Sequence, residues 1–174
     1  MKKFCVLISV ITLILFSCSD GNVLEFELDF DQELGLCGDI YSEDYLVYDI
    51  KTDPNESLML LFSGSDTNDK IFFPTETPYE EELTINGSST RFNYRFYDGD
   101  PLEIICQGIP SSEVNITEDY EAQSGTIKSI TTYEDLDGIR TVTVFIEVVN
   151  TDIEILTADN ITIGTYTHSY SLDN

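Results

Sequence analysis

Thr141-Val142-Thr143-Val144-Phe145-Ile146-Glu147-Val148 decides how this chain folds. Val142, Val144, Ile146 and Val148 recur at every second position, the period at which strand side chains share one face of a sheet. Thr141, Thr143, Phe145 and Glu147 between them are partly apolar, which marks a central strand. Leu24, Phe26, Leu28 and Phe30 repeat the pattern against Glu25, Glu27 and Asp29, here with one wholly acidic face. Further strands are expected at 44–50, 58–62, 70–73, 81–86, 90–97, 102–107, 126–133, 153–157 and 161–170. Turn sequences divide them: Asp53-Pro54-Asn55, Gly64-Ser65-Asp66, Asn86-Gly87, Asp98-Gly99-Asp100-Pro101, Asp135-Leu136-Asp137-Gly138 and Ala158-Asp159-Asn160. No long helical period competes. A helical turn is expected within 111–121, and the polar stretch 107–125 reads as a loop. The class is all-β: one domain over 23–174, an antiparallel β-sandwich of immunoglobulin-like or jelly-roll-like type.

Asn86-Gly87 gives the sharpest local expectation. Both residues accept positive φ, so the pair suits a two-residue type I′ hairpin. That register sets Ile85 against Ser88, Leu83 against Thr90 and Glu82 against Arg91. Leu83, Ile85, Thr90, Phe92, Tyr94 and Phe96 then face inward, and Glu80, Glu82, Arg91, Asn93 and Arg95 outward. The ordinary meaning of the outer row is cross-strand ion pairing worth a few tenths of a kcal/mol. The sharper alternative is an anion-binding patch at Arg91 and Arg95.

The chain of 174 residues carries 33 acidic side chains against 8 basic ones, a net charge of −25. Such a surface repels phosphates, which excludes nucleic acid as a partner. It favours solubility and attracts cations. The Ca²⁺ candidates Asp98-Gly99-Asp100 and Asp135-Leu136-Asp137-Gly138 lack the spacing of an EF-hand loop and are natural turn sequences, so no metal site is assigned. Catalytic constellations are equally thin. His168 is the one histidine, flanked by Tyr166 and Tyr170 at strand spacing with no nucleophile elbow nearby. Paired carboxylates are too numerous to single out two for glycoside hydrolysis. Ten tyrosines without a tryptophan leave glycan stacking open, while β-preference accounts for the same residues. The sequons at Asn55, Asn86, Asn115 and Asn160 would suggest glycans in a eukaryotic secreted protein and are expected to be incidental in a bacterial one. No catalytic residue and no cofactor is assigned.

The N-terminus carries the most specific signal. Met1-Lys2-Lys3 precede the apolar run FCVLISVITLILF, and Ser17-Cys18 follow. Thirteen residues at about 1.5 Å each span roughly 20 Å as a helix, short of a ~30 Å bilayer core, so a cleaved signal is expected. Leu15-Phe16-Ser17-Cys18 resembles the lipobox of bacterial lipoproteins, with Phe16 departing from the small or aliphatic residue usual there. The resemblance implies that 1–17 are removed, that Cys18 is the lipid attachment site, and that 18–22 form a short acylated tether. Ser19 after the cysteine implies the outer membrane of a Gram-negative bacterium, on its periplasmic or surface-exposed face. The other reading is an ordinary secretory signal that leaves Cys18 a thiol.

With Cys5 lost in the signal and Cys18 acylated, Cys37 and Cys106 remain. An even pair in an oxidising compartment is read as a disulfide, with two buried free thiols as the alternative. Closing a loop of about 70 residues stabilises a fold by roughly 4 kcal/mol in the chain-entropy picture. The functional expectation is a non-enzymatic envelope interaction or structural module, membrane-bound through its lipid, with an envelope protein or glycan as partner. A glycan-binding accessory lipoprotein is the first alternative and a small carboxylate-dependent hydrolase the second.

Overall fold

The computed structural model describes residues 28, 30, 34–38, 44–64, 70–107, 113–154 and 156–172. The signal, Cys18, the tether and most of the expected strand 24–30 lie outside the described residues. Eight strands form one antiparallel sheet: β1 (Gly35–Cys37), β2 (Asp44–Thr52), β3 (Asn55–Ser63), β4 (Tyr79–Thr84), β5 (Thr90–Tyr97), β6 (Ile116–Leu136), β7 (Ile139–Ile153) and β8 (Leu156–Ser171). Their order is the meander β1-β2-β3-β5-β6-β7-β8, with β4 also paired to β6. The two ends of this path meet where Leu34 N donates to Thr165 O at 3.1 Å. The protein is therefore all-β, with a sheet curled nearly into a barrel.

The opening octet lies in β7, between β6 and β8. Val142, Val144, Ile146 and Val148 are fully buried, as a central strand requires. They pack with Tyr45, Val47, Leu58, Leu60, Phe62, Phe92, Tyr94 and Ile127 into one core. Each such side chain contributes about 1.5–3 kcal/mol on burial.

The Asn86-Gly87 hairpin does not form. β4 pairs with β6, and Glu82 faces Lys128 rather than Arg91. β4 and β5 lie end to end along the same edge of β6, through Thr84↔Thr126 and Asn93↔Glu121. The other edge of β5 belongs to β3, so no place remains for β4 beside it. The Asn86 side chain holds the corner instead: its Oδ1 accepts from the amides of Ser88, Ser89 and Thr90 at 2.9–3.2 Å. These bonds replace a hairpin ladder. The expected face assignment nevertheless holds, because it depends on parity alone: Ile85, Thr90, Phe92 and Tyr94 are buried.

β6 bends where it changes partner. Its pairing with β7 shifts register on both sides of Ser124, and Gly125 adopts φ +144°. A Cβ there would sit 3.1 Å from the Thr151 Cα, so the bend needs glycine. A two-residue hairpin of the positive-φ kind forms instead at the β6–β7 turn, with Leu136↔Ile139 paired across Asp137 and Gly138. Both turn residues have positive φ, 51° and 79°.

Several expected boundaries move. Ile71 and Phe72 belong to a helical turn at 70–72 and are fully buried, capping the core rather than extending a strand. Residues 101–103 form a 3₁₀ turn, not a strand. The stretch expected as loop and helical turn is strand from Ile116 onward. The expected strand 153–157 is divided between β7 and β8, which pair through Ile153↔Leu156, and the expected turn at 158–160 is strand.

One end of the core is polar. Glu56 is buried, accepts a hydrogen bond from the Tyr94 hydroxyl and pairs with Lys51 Nζ at 3.5 Å. Lys51 in turn lies 5.0 Å from the Phe30 ring. Phe30 thus packs at the end of the fold where the β2–β3 turn lies.

Candidate functional site

The outer face of β3 and β5 is covered. From Tyr97 the chain turns through Asp98–Asp100 and the 3₁₀ turn Pro101–Glu103, then runs to Cys106. Cys106 is joined to Cys37 of β1, with Cα atoms 5.3 Å apart. Residues 98–107 so form a strap tied at both ends. At its start, Asp98 accepts from the Asn115 amide N–H (2.6 Å) and side-chain Nδ2 (2.9 Å). These bonds hold the Asp98 pKa below the usual aspartate value. Asp100 caps the 3₁₀ turn by accepting from Leu102 N at 3.0 Å. Under the strap, outward-pointing Ser57 and Met59 are buried. The Ser57 hydroxyl lies 2.8 Å from that of Tyr97.

Strap and sheet enclose two adjoining cavities that meet at Arg95 and Ile105. One, of about 440 Å³, is mainly apolar and includes Tyr97, Ile104, Val114 and Ile116. The other, of about 500 Å³, has an apolar side of Leu46, Met59, Leu61 and Ile105 and a polar side of Arg91, Asn93, Arg95, Asp119 and Glu121. Small-molecule sites commonly combine these features at this size.

The polar side is unevenly satisfied. Arg95 and Asp119 are opposite each other in register and form an ion pair at 2.8 Å. Burial disfavours the charged Arg95, but the Asp119 bond and charge outweigh it and raise its pKa. Asn93 Nδ2 donates to the same carboxylate at 3.0 Å, and Arg95 Nη1 approaches Met59 Sδ at 3.7 Å. The Nε atoms of Arg91 and Arg95 are both buried without a hydrogen-bond partner, and Arg91 differs in forming no ion pair among the described residues. Glu121 likewise forms none. Asn93 stands opposite Glu121, so Arg91 and Glu121 are diagonal neighbours, roughly 7–8 Å apart at the backbone.

The other residues singled out from sequence have structural partners. Asp135 binds Arg140 through two bonds of 2.7 and 2.8 Å, and Arg140 lies 3.7 Å over the Tyr133 ring. No group of three or more His, Cys, Asp or Glu converges as a metal site among the described residues. His168 is stacked between Tyr166 and Tyr170, with centroids 5.7 and 5.9 Å away, and Phe72 and Phe73 stand against it. Burial lowers its pKa, opposed in part by the Phe72 backbone. All nine described tyrosines are buried or half-buried. No helix among the described residues is long and apolar enough to cross a membrane.

Sequence reasoning placed Arg91, Arg95, Cys37 and Cys106 among its candidates, and the structure brings all of them to the strap or the cleft. It missed Met59, Leu61, Ile105, Asp119 and Glu121. A signal for part of this set was present: the unbroken run Leu58-Met59-Leu60-Leu61-Phe62 implies a strand covered on both faces.

No known protein family matches the chain, and neither does any curated protein or solved structure.

Proposed function

We propose that the chain is a non-enzymatic module of the cell envelope, tethered to the outer membrane by an acylated Cys18, which binds its partner in the cleft beneath the 98–107 strap. The observation that carries the binding part is Arg91: in a chain with 33 acids, it lines the cleft with a buried, unpartnered Nε and forms no ion pair among the described residues. Leaving such a group unpaired costs about 1–3 kcal/mol, which a ligand's acceptor would recover. The tether rests on Leu15-Phe16-Ser17-Cys18 and on Ser19 after it. Periplasmic and surface-exposed faces both suit the acidic exterior.

The sandwich reading is proposed in a modified form. β1, β2, β3, β5 and the first part of β6 make one layer, and β4, β7, β8 and the rest of β6 the other. The bend at Gly125 and the shared core support it, and the meander order favours a flattened barrel over an immunoglobulin or jelly-roll path. Glycan stacking draws less support, since none of the described tyrosines is fully exposed.

Metabolic labelling with an alkyne palmitate tests the tether. The wild-type chain is labelled and Cys18→Ser is not; equal labelling of both contradicts the tether. Hydrolysis of glycans or esters by the purified protein would contradict the non-enzymatic reading.

A further inference from the structure

We propose that the larger cavity binds a small zwitterion of the α-amino-acid type with an apolar side chain. The proposal deepens the reading of the cleft as the module's binding site and can fail independently of it.

The charges define the ligand. Arg95 and Asp119 neutralise each other at 2.8 Å. Arg91 and Glu121 remain, opposite in sign, diagonal on adjacent strands and both lining the same cavity. The guanidinium fork of Arg91 matches a carboxylate through two parallel N–H···O bonds, which would give its buried Nε the partner it lacks. Glu121 then accepts from an ammonium. A carboxylate and an ammonium on one small molecule satisfy both groups without adding net charge.

The field of the whole chain points the same way. A net charge of −25 opposes the approach of anions, most strongly of polyanions, whereas a zwitterion feels no net long-range force. A simple cation would leave Arg91 unpartnered, and a simple anion would meet Glu121. Leu46, Met59, Leu61 and Ile105 supply an apolar wall for the side chain.

Calorimetric titration of the full chain in lipid nanodiscs, with leucine, N-acetyl-leucine, leucinamide and inorganic phosphate as probes, tests this. Leucine binds, and each capped form binds at least about tenfold more weakly, a gap readily resolved at millimolar affinity. Phosphate does not bind. Arg91→Met weakens leucine by about tenfold or more and leaves leucinamide unchanged, and Arg91→Lys weakens it less because charge remains without the fork. Glu121→Gln weakens leucine and leaves N-acetyl-leucine no weaker than before. Urea midpoints show that each variant is folded. Equal binding of the capped forms, leucine binding untouched by Arg91→Met, preference for phosphate, or no leucine binding by folded wild type overturns the proposal. If leucine fails but another envelope ligand occupies the wild-type cleft and not Arg91→Met, the zwitterion assignment falls and the binding-module reading stands.

Discussion

His168 is surrounded by rings rather than by charges, and that makes its protonation an opponent of folding. Burial among Phe72, Phe73, Tyr166 and Tyr170 lowers its folded pKa below the ordinary 6.5. Its stabilising contribution is then complete above about pH 6.5 and is lost as pH falls through the lower folded value. Urea denaturation between pH 7.5 and 5 should show wild type losing stability through this window. His168→Phe should remove that part of the slope; an unchanged slope would mean that the imidazole is not the titrating group. Gly125 is a second residue with an outsized role. Gly125→Ala combines φ +144° with a 3.1 Å approach to Thr151 Cα, and should cost more than about 1 kcal/mol in equilibrium unfolding. A neutral result would mean that the β6 bend can relax.

At the level of strands and connections, parity was legible and partnership was not. The two-residue repeat over 141–148 and over 90–96 assigns faces correctly, because pleating alternates side chains whatever strand lies alongside. Asn86-Gly87 misleads because turn chemistry is local. β5 is claimed by β3 and β6, and Asn86 spends its carbonyl on three amides rather than on a hairpin. Ile71-Phe72-Phe73 is too short a run to show a period, and tertiary packing makes it a helical cap. The cleft was half visible for the same reason. Arg91 and Arg95 stand out as cations on an outer face, but the strap above them is a long-range feature set by Cys37–Cys106. Replacing both cysteines by serine should lower stability by up to roughly 4 kcal/mol in urea titrations, since the link closes a loop of about 70 residues. It should also expose Met59 to oxidation by peroxide, as Met59 is 7% accessible beneath the strap. Unchanged protection of Met59 would show that the strap stays down without the disulfide.

Across the whole molecule, charge and closure set the behaviour. Among the described residues four ion pairs engage Lys51, Arg95, Lys128 and Arg140, which leaves most of the 33 acids to repel one another. Raising salt shortens the Debye length from about 30 Å at 0.01 M to about 3 Å at 1 M and screens that repulsion. The melting temperature should therefore rise with NaCl, by about 2–4 °C for each kcal/mol gained in a protein of this size. A falling value would mean that the surface ion pairs matter more than the net charge. Phe30 lies beside Lys51, whereas Leu136 and Ile139 are exposed at the opposite β6–β7 hairpin. The most direct test of the central claim, that this cleft is the recognition site, is amide hydrogen exchange of the full chain with and without saturating leucine. The account predicts slower exchange at 91–97, 104–107 and 116–121, with 139–149 unchanged. With leucine binding established by calorimetry, no change in the first three segments, or protection confined to the last, would contradict it.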